Sequence, residues 1–457
     1  LADSRKPDNA GSWSHHPVQL RLMNSIAALT WREVSAGDLT AGAEGPVLLV
    51  SNHFGGAADA IVLMSVLPRR PRILADDTIW RYPVARQVME WLGAIPVHRG
   101  RSARGGAAHS GADNTDMFAS CHEVLAAGQS VLIFPEGITR EEPSIGKVKT
   151  GAARIALGAL DAGVTGLRIV PVGIHYDDKA AFRSSVYVRC GRPIDVDALV
   201  AEAQPTSSDE REEVDELTEV IEERLRQSAP NYDDWREARA LQSASEAFLR
   251  TLAPDRSVPI GLRDRLSAWL AAHRGHEAVE EPASEYRESL ESNGLDDGWA
   301  VEGEGGLRWR NVATALTWIL MLPYAAVGLI AHAVPLTLTW LVTRLRLAPA
   351  VMATVMPVAA ALLFGFTWCF WIWFGWRLDG TDGVVSFLLL FPISFSALVL
   401  VAERGALWWR GLRNRLYGIR RGRRAGVPEL RHGTVRAVAD LVEAELSTGS
   451  ATRGVTG

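Results

Sequence analysis

The stretch PVLLVSNHFGGAADA, Pro46 to Ala60, decides how the N-terminal half of this chain folds. Val47–Val50 is a short apolar run rich in β-branched residues and reads as a buried strand. The run ends in Asn52 and His53, passes Gly55 and Gly56, and reaches Asp59 six residues after the histidine. Residues six apart on one regular helix point roughly 120° away from each other, so His53 and Asp59 cannot pair on one helical face. They can pair if the strand stops at the histidine, the glycines turn the chain sharply, and a helix starts near Ala57. Asp59 then sits in the first helical turn, where a carboxylate is favoured. It can accept the Nδ1 proton of His53 and leave Nε2 as a base for an alcohol attacking a carbonyl. The plainer alternative has His53 capping a loop and Asp59 capping a helix.

Around this stretch, β-rich runs alternate with helical patterns. The strands expected are Val47–Val50, Arg72–Ala75, Ile95–Val97, Val131–Phe134, Leu167–Ile174 and Val186–Arg189. Between them, helices are expected over Ala57–Leu67, Pro83–Leu92, Asn114–Ala127 and Gly151–Ala162. This is an α/β pattern with a mixed sheet flanked by helices. A further amphipathic helix, Val18 to Trp31, places Leu22, Met23, Ile26 and Leu29 at helical spacing. It suits a membrane surface or the protein's own core equally well. The polar residues before it read without a secretory signal.

Three other stretches could carry chemistry. GAIPVHRGR, Gly93 to Arg101, delivers Arg99 and Gly100 to a sheet edge, where a guanidinium can hold a phosphate by two parallel hydrogen bonds. With 44 Arg against 4 Lys, however, an isolated arginine in this chain carries little information. VLIFPEGITR places Glu136 where a buried strand stops, a position too costly for an unpaired carboxylate. A hydroxyl or Arg99 is its expected partner, and Gly137 allows close backbone approach. KVKTGAARIAL follows, with Lys147 and Lys149 before a helix start, a reasonable phosphate pocket. Finally, IVPVGIHY contains Pro171, which interrupts a strand ladder.

The net charge of −5 argues against a nucleic-acid partner. Cys121, Cys190 and Cys369 have no metal-like or disulfide spacing, which suits a reducing compartment. No His/Cys/carboxylate spacing suggests a metal, so none is expected. Residues 201–305 are acidic and helix-prone and read as a helical extension followed by a linker, a solvated charged face.

From residue 311 the composition changes. Asn311 to Thr343, Leu347 to Trp376 and Gly383 to Ala402 contain no Asp, Glu, Lys or Arg, and each is long enough for a bilayer. Nine of the 16 tryptophans lie at or beyond Trp309, many of them near the ends of these runs, as interfacial anchoring places them. Arginines flank the first run on both sides, and it holds Pro323 and Pro335, so 311–343 is expected to re-enter the membrane as a hairpin. The spans 347–376 and 383–402 then cross outward and back, leaving Asp379 and Asp382 outside. A basic tail, 411–457, meets anionic headgroups on the cytoplasmic side, which the α/β domain shares. An integral membrane protein is expected.

In order, NHFGGAAD, GAIPVHRG, FPEGITR and IVPVGI resemble the four motifs of the PlsC-like glycerolipid acyltransferase superfamily, over about residues 45–195. YDDKAAFRSSVYVRCGRPI and the C-terminal apolar runs look like the fungal branch of sn-1 glycerol-3-phosphate and dihydroxyacetone-phosphate acyltransferases. Five residues separate His53 from Asp59 where the superfamily usually has four, and that branch shares the longer spacing. The resemblance implies an acyltransferase domain over 1–200, the acidic extension over 201–305 and a membrane region over 306–410. It implies His53 as general base, Asp59 as its orienting carboxylate, and Arg99, Gly100, Glu136, Gly137 and Arg140 as ligands of a glycerol-phosphate acceptor. Ile138 stands where many relatives have threonine, which shifts Arg140 by one. Lys149 and Arg183 join as phosphate candidates, and Pro171 borders the acyl channel.

The implied reaction is direct transfer from acyl-CoA or an acyl carrier protein, with backbone N–H groups near the glycines stabilising the oxyanion. Neither cofactor nor acyl-enzyme is required. The acceptor is expected to be glycerol-3-phosphate or dihydroxyacetone phosphate at its sn-1 hydroxyl, or alternatively lysophosphatidate at sn-2. From another class, a non-catalytic lipid-binding scaffold keeps the fold without turnover. A hydrolase is disfavoured, since no serine elbow of the G-x-S-x-G type is present.

Overall fold

The computed structural model describes residues 17–98, 114–178, 183–202, 210–253, 258–273, 275–295, 297–298, 309–345, 349–413 and 426–453. The chain divides into two compact units, Leu1–Asn231 with Pro349–Thr354, and Tyr232–Ala348 with Val355–Gly457.

The first unit is built on an eight-stranded mixed sheet in the order β1-β7-β6-β2-β5-β3-β4, with β8 also pairing β6. The strands are β1 (Glu33–Ala36), β2 (Val47–Ser51), β3 (Arg72–Asp76), β4 (Ile95–Val97), β5 (Ser130–Ile133), β6 (Arg168–Tyr176), β7 (Ser185–Cys190) and β8 (Ile194–Asp195). Six of them match the apolar runs read from the sequence. β1 and β8 were not expected, because four half-exposed residues (EVSA) and two residues (ID) are too short to show a pattern. β2 lies at the centre, parallel to both β5 and β6, and Val47–Val50 are at most 1% exposed. The chain order reverses there, with β5, β3 and β4 on one side and β6 and β7 on the other. The carboxyl ends of parallel strands beside such a reversal form a natural crevice.

Helices α1 (Pro17–Thr30), α2 (Ala57–Val66), α3 (Pro83–Leu92), α4 (Thr115–Ala126), α5 (Gly151–Asp161), α6 (Val196–Glu202) and α7 (Glu210–Ser228) belong to this unit. α1 turns Met23 and Ala27 into the core, with Trp31 just beyond its end, and leaves Leu22 and Leu29 exposed. The protein's own core thus takes one face of this helix. α7 opens the acidic extension, yet it packs on α5 and β6. Val214, Leu217, Ile221 and Leu225 recur on its inner side and are buried in the sheet core, while its glutamates occupy the other faces. Helical periodicity inside an acidic run turned one side of α7 into core.

In the second unit, α8 (Trp235–Leu252), α9 (Ile260–Ala272), α10 (Glu277–Asn293) and the C-terminal α14 (Val427–Arg453) enclose Leu241, Ala244, Leu270, Val279, Ala283 and Val438. Asp297, 6% exposed, accepts from Arg250 at 2.7 Å, from Arg431 at 2.8 Å and from the Tyr286 hydroxyl at 2.6 Å. These bonds fasten α14 to α8 and α10.

The apolar helices follow their own pattern. α11 (Trp309–Ala331) and α12 (Ala333–Thr343) meet at a 71° bend beside His332. α13 (Pro349–Arg413) is interrupted at Asp379 and Gly380, inside RLDGTDG, where Gly380 has φ 54°. The two halves fold back on each other. Phe364 meets Phe395 at 5.1 Å, Trp371 stacks on Phe387 at 6.0 Å, and a Cβ on Gly375 would come within 2.8 Å of the Gly383 carbonyl. Leu362, Phe366, Phe370, Trp373, Leu389 and Ile393 point outward and exposed. The stretch Val358–Gly405 is long and apolar enough to cross a membrane, and the bent α11–α12 pair passes the same test together.

Candidate active site

β2 stops because Asn52 leaves the ladder to bond sideways. Its side chain donates to the Ile174 carbonyl at 3.0 Å and accepts the Ile174 N–H at 2.8 Å, pinning the strand end to β6. His53 follows, and the chain turns through the glycines. A Cβ on Gly55 would lie 2.8 Å from both Asp59 Oδ1 and the Tyr176 hydroxyl oxygen, so no side chain fits there. Gly56 has φ 63° and caps the start of α2, which places Asp59 in the first helical turn.

Asp59 is fully buried and held from three directions. Its carboxylate accepts His53 Nδ1–H at 2.9 Å, the Gly55 N–H at 3.1 and 2.9 Å, and the Tyr176 hydroxyl at 2.7 Å. Burial and the neighbouring carboxylate raise the Tyr176 pKa well above its ordinary value, so the phenol remains a donor. The His53 ring stacks on Phe134 with centroids 4.2 Å apart, and its side chain keeps 16% exposure. With Nδ1 committed to Asp59, Nε2 is the nitrogen left to take a proton.

β5 brings up the next group. Glu136 is 3% exposed and points back at the turn. Its Oε1 accepts the His53 N–H at 3.3 Å, and its Oε2 accepts the Gly146 N–H at 2.9 Å with Arg140 Nε at 3.6 Å. Burial raises the Glu136 pKa, while the two N–H bonds, Arg140 and His53 pull it down. These contacts tie the FPEG turn to the histidine turn; Arg99, a partner expected from the sequence, lies outside the described residues. The Arg140 N–H in turn donates to the His53 carbonyl at 2.9 Å. At Gly137, φ 70°, a Cβ would come within 2.5 Å of Lys149 Nζ, so the lysine lies directly over this turn. His53, Asp59, Glu136, Gly137, Arg140 and Lys149 thus meet at the carboxyl ends of β2 and β5.

Residues 33–175 match a family model described as Acyltransferase. Over 125 residues the chain is 38% identical to glycerol-3-phosphate O-acyltransferase 2 of Saccharomyces cerevisiae, covering 26% of this chain and 17% of that protein. Over this stretch the chain is similar to acyltransferases. The chain is also 25% identical to glycerol-3-phosphate O-acyltransferase 1 of the same yeast, over 32% of this chain and 20% of that one. It is 28% identical to the chloroplastic 1-acyl-sn-glycerol-3-phosphate acyltransferase LPAT1 of Arabidopsis thaliana, over 28% of this chain and 31% of the other. The matches cover at most 31% of the length of these three relatives.

The other residues singled out in the sequence fall elsewhere. Arg183 (φ 62°) donates from its guanidinium to the Ala28 carbonyl and, at 3.0 Å, to the Trp31 carbonyl, which ties it to the end of α1. Pro171 sits buried inside β6, where the strand changes partner from β8, opposite Ile169, to β7, opposite Val172. A missing N–H is least disruptive at such a changeover. Arg99 and Gly100 lie outside the described residues. The N–H groups of Gly55 and Gly137 donate to Asp59 and to the Phe134 carbonyl. Beside the site edge, His98 Nδ1 bonds Asp77 at 2.8 Å, and Asn114 bonds both the N–H and the carbonyl of His98 at 3.1 Å.

Sequence reasoning missed Asn52 and Tyr176. Both stand inside quoted motifs, Asn52 beside the histidine and Tyr176 at the last position of IVPVGIHY. Only the β2–β6 pairing shows that these two strand ends lie side by side.

Proposed function

We propose that this protein is a membrane-bound O-acyltransferase that moves a fatty acyl group from acyl-CoA, or from an acyl carrier protein, to the sn-1 hydroxyl of glycerol-3-phosphate or dihydroxyacetone phosphate. The observation that carries the reading is the imidazole of His53 held by a buried carboxylate, with no partner on Nε2 among the described residues, in a stretch that matches the Acyltransferase family model. His53 Nε2 takes the acceptor's hydroxyl proton as the oxygen attacks the thioester carbonyl. The tetrahedral adduct collapses, the C–S bond breaks, and the leaving thiolate takes the proton back from the imidazolium. Asp59 holds the ring and offsets its transient charge, so no acyl-enzyme is needed. Lys149 and Arg140 face the acceptor phosphate, joined by Arg99 and Gly100 from the neighbouring motif. The 38% match to a yeast glycerol-3-phosphate acyltransferase supports the sn-1 acceptor.

A second reading, sn-2 acylation of lysophosphatidate, is favoured by the 28% match to the plant enzyme. Purified protein given labelled palmitoyl-CoA with either acceptor, alongside His53→Ala, separates the two. Lysophosphatidate formed only by the wild type supports the sn-1 reading, and phosphatidate formed only from lysophosphatidate moves the protein to the sn-2 class. No transfer with either acceptor or with dihydroxyacetone phosphate, repeated with acyl carrier protein as donor, refutes both.

The arginines flanking the apolar helices support a topology with the catalytic domain and C-terminus on the cytoplasmic side and the Asp379–Asp382 turn outside. Impermeant thiol labelling of Asp379→Cys in sealed cells, in a background lacking the native cysteines, tests it. Labelling only after permeabilisation overturns the orientation.

A further inference from the structure

α7 lies beyond the four motifs, and the reaction above uses none of its residues. Its inner side is core, but its edge reaches the active-site loop. Glu222 Oε2 accepts the Val148 N–H at 3.0 Å, while Oε1 accepts from Arg226 at 2.7 Å. Just past the helix, Asn231 Oδ1 accepts the Ile145 N–H at 3.3 Å. From the other side, Glu136 takes the Gly146 N–H at 2.9 Å and the Pro135 carbonyl takes the Lys149 N–H at 3.0 Å. The run from Ile145 to Lys149 belongs to no helix or strand. Its shape is therefore set by acceptors on its N–H groups, two from the FPEG turn and two from α7 and its end. This run carries Lys147 and Lys149, two of the four lysines in the chain, and holds Lys149 over Gly137.

A lysine ammonium is a point charge on a flexible stem, so its usefulness to a phosphate depends on where its backbone is fixed. We infer that α7 is a working part of the acceptor site, with Glu222 and Asn231 as positioning residues that set the lysine loop for a phosphate-bearing acceptor. This rests on the reading that Lys149 faces that phosphate. On this inference, the first helix of the acidic extension belongs to the catalytic unit, and its effect shows in acceptor affinity rather than in proton transfer.

The test is steady-state kinetics on the full-length protein, with palmitoyl-CoA and whichever phosphate-bearing acceptor the wild type uses. Glu222→Ala and Asn231→Ala are each expected to raise the acceptor KM by about tenfold, with kcat and the palmitoyl-CoA KM within about twofold. Glu222→Gln, which keeps an oxygen for the Val148 N–H, is expected to restore most of the loss. In a Lys149→Met background, Glu222→Ala is expected to add little, because both act on one group. A fall in kcat at unchanged acceptor KM, or full additivity with Lys149→Met, overturns the inference and leaves the enzymatic reading standing. Absence of transfer by the wild type overturns both. Should Glu222→Ala fail to fold, Asn231→Ala, at an exposed position, carries the same test.

Discussion

The two units each hold a well-placed histidine, and the two are built for opposite purposes. His53 gives Nδ1 to the buried Asp59 carboxylate, and among the described residues nothing bonds its Nε2. His332, fully buried at the α11–α12 bend, donates from Nδ1 to the Gly328 carbonyl at 2.8 Å and accepts at Nε2 from the Trp368 indole at 2.9 Å. Phe364, Phe391 and Phe395 surround it at 5.1–5.8 Å. At His53 a carboxylate faces the ring. A proton arriving at His332 would have to break the Trp368 bond and leave a charge among aromatic rings. The partner on each nitrogen, rather than the residue type, separates the proposed base from a structural pin.

The largest test of that contrast is His53→Ala, expected to lower kcat/KM for acyl transfer by about 10³-fold or more in a detergent assay. Retention of more than a tenth of wild-type activity would place the base elsewhere. Asp59→Asn follows, with a loss of about 10²–10⁴-fold, since the amide cannot offset an imidazolium. Gly383→Leu attacks the other unit. A side chain there would collide with the Gly375 backbone, so it is expected to destabilise the hairpin by about 1–3 kcal/mol, read as a lower Tm in detergent. Tyr176→Phe removes one donor to Asp59 and is expected to lower kcat by about three- to tenfold without loss of expression. The smallest effect is His332→Phe. Transfer should stay within about twofold, while loss of the Trp368 bond lowers stability by about 1 kcal/mol. An equal loss of turnover at His332 and His53 would erase the distinction.

Much of the candidate site was legible in the sequence. Two adjacent glycines between a buried run and a helix start leave few ways for His53 and Asp59 to meet, and the observed turn is the one their spacing permitted. Glu136 was legible as a buried acid, but not its partners, because the N–H groups of His53 and Gly146 lie 83 and 10 positions away along the chain. Arg183 was illegible for the opposite reason. It stands in a suggestive motif, but its guanidinium is drawn to the open carbonyls at the end of α1, which sequence distance conceals. In the acidic extension, the density of glutamates in α7 masked an apolar stripe that only the sheet could claim.

By itself the sequence determined what local chemistry can dictate. It set the strand and helix periods, the glycine turn that lets a histidine face an aspartate, and uncharged runs long enough for a bilayer, because each depends on residues within a few positions of one another. Tertiary structure alone decided which distant groups close the site. Tyr176 on Asp59, Asn52 on Ile174, and Glu222 and Asn231 on the lysine loop all depend on strand order and helix packing. Those are fixed by burial of apolar surface across the whole domain, which no local spacing encodes.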